Sequence, residues 1–103
     1  MYTGARDAKG NSCIKLGSSK KTGGFSFTVP DDVTSVVIYI AKYKSNASKV
    51  TVNGTTYTLS SASDNGAYDE ITIDTTTTKI VTVSTVASNY RAMVNTIVFK
   101  VEE

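Results

Sequence analysis

The 103-residue chain contains no histidine and no tryptophan, one cysteine and one proline. Each absence removes a class of chemistry. Histidine is the commonest general base near neutral pH and the commonest metal ligand, so Ser-His-Asp and Cys-His nucleophile systems and zinc sites built on histidine are excluded. Cys13 has no intramolecular disulfide partner and sits between Ser12 and Ile14, where it reads as a small buried hydrophobe rather than a reactive thiol. No stretch approaches the roughly 18 to 20 apolar residues of a membrane-crossing helix, so no membrane partner is expected. Charge of one sign is scarce too. Eleven basic residues against nine acidic ones leave a formal charge of +2, so a whole-molecule field steers a polyanion only weakly and any such recognition requires a local cluster.

What the chain does hold is strand-forming sequence. Hydrophobic content of 40% and charged content of 19% fit a folded protein rather than a disordered one. The length fits a single domain over residues 1–103. Sixteen threonines and twelve valines favour strands over helices, and no segment of ten or more residues carries a 3.6-residue period. Residues 34–44 form a near-continuous apolar run, which predicts a strand buried on both faces. Residues 24–29 alternate with period two and stop at Pro30, whose Pro30-Asp31-Asp32 turn predicts that 24–29 and 34–44 pair. Asn53-Gly54 between residues 49–52 and 55–59 is the signature of a two-residue hairpin. Residues 70–74, 79–86 and 91–101, with a weaker strand at 12–16, bring the count to about eight. The predicted fold class is all-β: a two-sheet antiparallel β-sandwich, jelly-roll-like.

Few residues suggest chemistry. Asp69 and Glu70 are neighbours, so in a strand they point to opposite faces and cannot act as a facing acid/base pair. The loop 64–69 lacks the alternating ligands and terminal glutamate of an EF-hand and reads as a solvated turn, so neither metal nor cofactor is expected. The sequons at Asn46 and Asn53 are short chance patterns, and Asn53 is explained by its turn. Lys20 and Lys21 lie in a Gly/Ser-rich stretch and read as a solvated turn. Lys42, Tyr43 and Lys44 leave the end of the most apolar strand, Lys42 on the face of Ile38 and Ile40, Tyr43 on that of Tyr39 and Ala41. Arg91 opens the last strand, Lys79 starts the one before it, and Lys9 lies with Arg6 in a basic, flexible-looking segment that could fold over a sheet edge. The missing tryptophan removes the best stacking platform for neutral glucans. A charged polysaccharide, by contrast, can be held by lysine through charge-assisted hydrogen bonds.

The runs CIKLGSSKKTGGFSFTVP (residues 13–30), VVIYIAKYK (36–44), VNGTTY (52–57) and YRAMVNTI (90–97) resemble the pectin-binding carbohydrate-binding modules that stand beside pectate lyase domains in a ruminococcal cellulosome. The resemblance covers nearly the whole chain. It implies a non-catalytic, extracellular, monomeric module of a larger secreted enzyme, recognising homogalacturonan chiefly through lysines. The start, Met1-Tyr2-Thr3-Gly4, has neither the charged nor the apolar region of an export signal, as expected of one module taken from a longer polypeptide. Guided by strand geometry, Lys42, Lys44 and Lys79 are the preferred ligand-binding residues, with Tyr43 and Arg91 in support, and Lys9 joins them through the basic segment it shares with Arg6. The alternative is a structural or protein-interaction sandwich whose lysines are merely solvated. Nucleic-acid binding is not expected, because the net charge is small and no RNP or helix-turn-helix pattern occurs.

Overall fold

The computed structural model describes residues 2–44 and 46–101. Among them nine strands run in the order β1 (Tyr2–Arg6), β2 (Ser12–Leu16), β3 (Gly24–Thr28), β4 (Val33–Lys42), β5 (Lys49–Val52), β6 (Thr55–Thr58), β7 (Asp69–Asp74), β8 (Ile80–Thr85) and β9 (Ala92–Val101), with one 3-10 turn at Ser63–Asn65. They form a β-sandwich: a five-stranded sheet in the order β1-β2-β9-β4-β7 faces a four-stranded sheet in the order β3-β8-β5-β6. Every strand pair is antiparallel.

Alternation of side chains along each strand builds the core. Val36, Ile38 and Ile40 of β4 enter it with Ile71 and Ile73 of β7, Val50 and Val52 of β5, and Val81 and Val83 of β8. Each such side chain contributes about 1.5–3 kcal/mol by leaving water, which fixes the register, since a one-residue slip would turn the whole apolar set outward. Strand β4 lies between β9 and β7, and its other face is buried as well, at Val37 and Ala41. The near-continuous apolar run of its sequence follows from that position. Asn53 and Gly54 have φ of 48° and 86°, the left-handed pair that a two-residue hairpin requires, and Val52 faces Thr55 across it.

Two expectations are corrected. Strand β3 does not pair with β4; it pairs with β8 in the opposite sheet. The Pro30 turn, closed by Val33 N–H donating to Pro30 O at 3.1 Å, carries the chain across the sandwich, and β4 has both edges occupied by β7 and β9. Residues 2–6 are also a strand rather than a flexible segment. β1 pairs with β2, with an irregularity between Tyr2 and Ala5, so the strands number nine rather than about eight.

Candidate functional site

The end of β4 is held from two sides. Lys42 N–H donates to Ser61 O at 2.8 Å, Tyr43 N–H to Arg91 O at 3.0 Å, and Lys44 N–H to Ser63 Oγ at 2.7 Å. Lys44 takes a left-handed φ of 53°, ending the strand there. The segment 60–68 crosses this end of the five-stranded sheet, bridged to β4 through Ala62 and Lys42 and tied to the 7–11 turn by Ala8 N–H donating to Ser63 O at 3.0 Å.

On the sheet face opposite the core, the register aligns Lys15 of β2, Met93 of β9 and Ala41 of β4. Two residues further on, Arg91 and Tyr43 share that face. The result is a cluster around one ring: Lys15 Nζ lies 4.2 Å from the Tyr43 centroid, Arg91 Cζ 4.7 Å and Lys44 Nζ 5.5 Å. Each contact contributes about 0.5–1 kcal/mol if exposed and about 2 if desolvated. The Arg91 Nε is buried and has no hydrogen-bond partner among the described residues, and the guanidinium packs against the tyrosine ring. Each of these cationic groups can donate a charge-assisted hydrogen bond to an anion.

The neighbouring acids have partners of their own. The Asp69 carboxylate accepts from Ser60 N–H at 2.7 Å, Ser60 Oγ at 3.0 Å and Ser61 N–H at 3.1 Å. Partial burial pushes its pKa up, but these hydrogen bonds outweigh burial and hold it below the ordinary value. Glu70 lies beside the Tyr39 hydroxyl and raises its pKa, first by hydrogen bonding and then by charge. Asp7 is buried and accepts from Tyr68 OH at 2.5 Å, Lys9 N–H at 2.9 Å, Asn11 N–H at 2.9 Å and Asn11 Nδ2 at 3.0 Å. The Tyr68 bond leads in holding Asp7 down at about 2. Burial, then Asp7, pushes the Tyr68 hydroxyl well above its ordinary value, so it remains a donor. Tyr68 OH also meets Cys13 Sγ at 3.1 Å, and Cys13 is buried.

The structure therefore brings Lys42, Tyr43, Lys44 and Arg91 to one end of the sheet. Lys9 borders the same end: its aliphatic carbons lie 2.7–2.9 Å from where a Cβ on Gly66 would stand, so the stem rides over that glycine. Lys79 is elsewhere. Its ammonium donates to Asp31 O at 3.0 Å and Val33 O at 2.9 Å, beside the first residue of the ten-residue β4, about 30 Å along the strand from Tyr43. Sequence reasoning missed Lys15. Its signal was a lysine between Ile14 and Leu16, facing away from them in a short strand, but the β2-β9-β4 register that sets it above Tyr43 is a tertiary fact. Lys20 lies in the expected turn, where Ser18 Oγ accepts from the Lys20 and Lys21 amides at 3.3 and 3.1 Å.

Neither a protein-family model nor a curated protein matches the sequence. The fold, however, is similar to that of solved carbohydrate-binding modules. A module from Clostridium stercorarium, solved with cellobiose, superposes with a TM-score of 0.51 at 20% identity, covering 95% of this chain and 80% of that one. A module of a multidomain xylanase from the hindgut metagenome of Trinervitermes trinervoides gives a TM-score of 0.55 at 12% identity, over 100% of this chain and 88% of that one. Part of an exo-beta-1,3-galactanase from Phanerochaete chrysosporium is similar as well, with a TM-score of 0.53 at 15% identity, over 95% of this chain and 25% of that one.

Proposed function

We propose that this chain is a non-catalytic, secreted module that binds the acidic plant polysaccharide homogalacturonan and holds an appended enzyme at the cell wall. The observation that carries this reading is the convergence of Lys15, Lys44 and Arg91 within 6 Å of the Tyr43 ring, on a sheet face of a sandwich shaped like known carbohydrate-binding modules. Ammonium and guanidinium groups donate to uronate carboxylates, and the ring offers a surface to a sugar's apolar face. Lys42 and Lys9 extend the basic rim. Tethering raises effective substrate concentration for the appended enzyme without any group that touches the reaction.

The test is retention of the chain on affinity gels of polygalacturonate, highly esterified pectin, cellulose and DNA. Binding strongest to polygalacturonate supports the proposal, because esterification removes the charge that the cations address. Equal retention by all four, or by cellulose alone, refutes it and returns the chain to the spacer or protein-interaction class.

A further inference from the structure

The two sheets are unequal, five strands against four. Strand β3 is the outer strand of the four-stranded sheet. Its pairing with β8 runs through Phe25↔Val83 and Phe27↔Val81, and the same ladder continues with Thr85 N–H to Gly23 O and Val29 N–H to Lys79 O, both at 2.8 Å. Odd-numbered residues therefore bond inward, and the N–H and C=O groups of Gly24, Ser26 and Thr28 point outward. All three residues are exposed. Beside this edge, between the sheets, opens an apolar cleft of about 450 Å³ lined by Ile14, Phe25, Phe27, Ile97 and Phe99, with Ser26 at its rim. Phe27 stacks on Phe25 at 5.9 Å and on Phe99 at 5.8 Å, yet Phe99 is 44% exposed.

We propose that this edge is a docking site for an extended polypeptide segment, added antiparallel to β3 as a fifth strand of the smaller sheet. The free backbone groups specify an extended backbone. The cleft specifies apolar side chains at alternate positions, since one face of an added strand points between the sheets. Charge specifies direction: exposed Lys20 and Lys21 precede β3, and exposed Asp31 and Asp32 follow it. A complementary antiparallel segment is basic before its strand and acidic after it. β3 itself carries no lysine or proline, the usual guards of a free edge.

The experiment titrates the whole chain with the synthetic peptide Lys-Lys-Gly-Val-Thr-Val-Thr-Val-Gly-Glu-Glu, followed by amide-resolved NMR and hydrogen exchange. The expected result is saturable binding that slows exchange at Gly24, Ser26 and Thr28 at least tenfold. The peptide with its charged flanks interchanged binds at least threefold more weakly, and Phe27→Ala weakens binding at least tenfold. Ser26→Pro removes the central outward donor, at an edge position where proline is compatible with a strand, and abolishes binding while circular dichroism reports an intact fold. N-methylation of the peptide on its β3-facing amides abolishes binding to the unmodified chain, a result independent of how any variant folds. Unchanged exchange at the three amides overturns the proposal, as does peptide binding that maps to the Tyr43 cluster. Self-association that protects the same amides without peptide assigns the edge to a second copy and overturns it as well.

Discussion

Tyr43 is where three cations from different parts of the chain meet, so its ring and the charges around it are separable by substitution. Lys15→Ala and Lys44→Ala are each expected to weaken pectate binding by about 1–3 kcal/mol for a hydrogen-bonded charge pair, and by less where the contact is exposed. Calorimetric titration against oligogalacturonate checks this, with Lys20→Ala as the silent control. Lys79→Ala is expected to behave oppositely. Its ammonium bonds two backbone carbonyls at the far end of β4, so the substitution lowers stability by about 1 kcal/mol and leaves pectate affinity unchanged. A loss of affinity in this variant would move the site away from Tyr43. A second residue-scale prediction concerns acid. The Asp7 carboxyl is held down at about 2, chiefly by Tyr68, against an ordinary 3.8. A pKa depressed by folding means the unfolded chain binds the proton first as pH falls, so this stabilisation is full above pH 4 and drains away as pH drops through about 2. Thermal melts between pH 4 and pH 2 therefore fall more steeply for the parent than for Asp7→Asn, which starts lower and has lost this titration.

Elements show which parts of the fold were legible in the chain. Strands β2 to β9 could be read, most from period-two alternation or a near-continuous apolar run, and β6 from the Asn53-Gly54 hairpin, where two consecutive left-handed residues restrict the choice of side chain. The hairpin yields a prediction: Gly54→Val places a β-branched residue at φ 86° and costs about 1–2 kcal/mol, with a melting temperature to match. By contrast, Ile38→Ala, at a fully buried position of β4, costs about 2–5 kcal/mol. Strand β1 was illegible because Tyr-Thr-Gly-Ala-Arg has one β-branched residue, a central glycine and no apolar/polar alternation; its backbone pairing with β2 makes it a strand. The partner of β3 was illegible for a related reason. A turn such as Pro30-Asp31-Asp32 closes a hairpin or crosses between sheets with the same local chemistry, and only the competition of β7 and β9 for the edges of β4 decides. Lys15 belongs with these, since its place above Tyr43 depends on a register across three strands, whereas Lys42, Tyr43 and Lys44 could be singled out because they end the most apolar run.

At the scale of the whole molecule, charge is distributed rather than accumulated. The body measures 38 × 26 × 22 Å and carries a formal charge of only +2, so a polyanion feels the cluster around Tyr43 mainly at short range, with Lys79, Asp31 and Asp32 lying at the other end of β4. Exposed charge contacts are screened over about 8–10 Å at 0.1–0.15 M salt, while stacking of a sugar on an aromatic ring is far less sensitive. Pectate affinity is therefore expected to fall as ionic strength rises from about 10 mM, where the Debye length is about 30 Å, to physiological salt. A plot of log affinity against log salt isolates the ionic part of binding. The double substitution Lys15→Gln with Lys44→Gln should flatten that plot and lower affinity most at low salt, whereas Tyr43→Leu should lower affinity at every salt concentration without removing the slope contributed by the cations. Equal dissociation constants for the parent at both ionic strengths would show that the lysines do not carry recognition, leaving tyrosine stacking as the dominant contact.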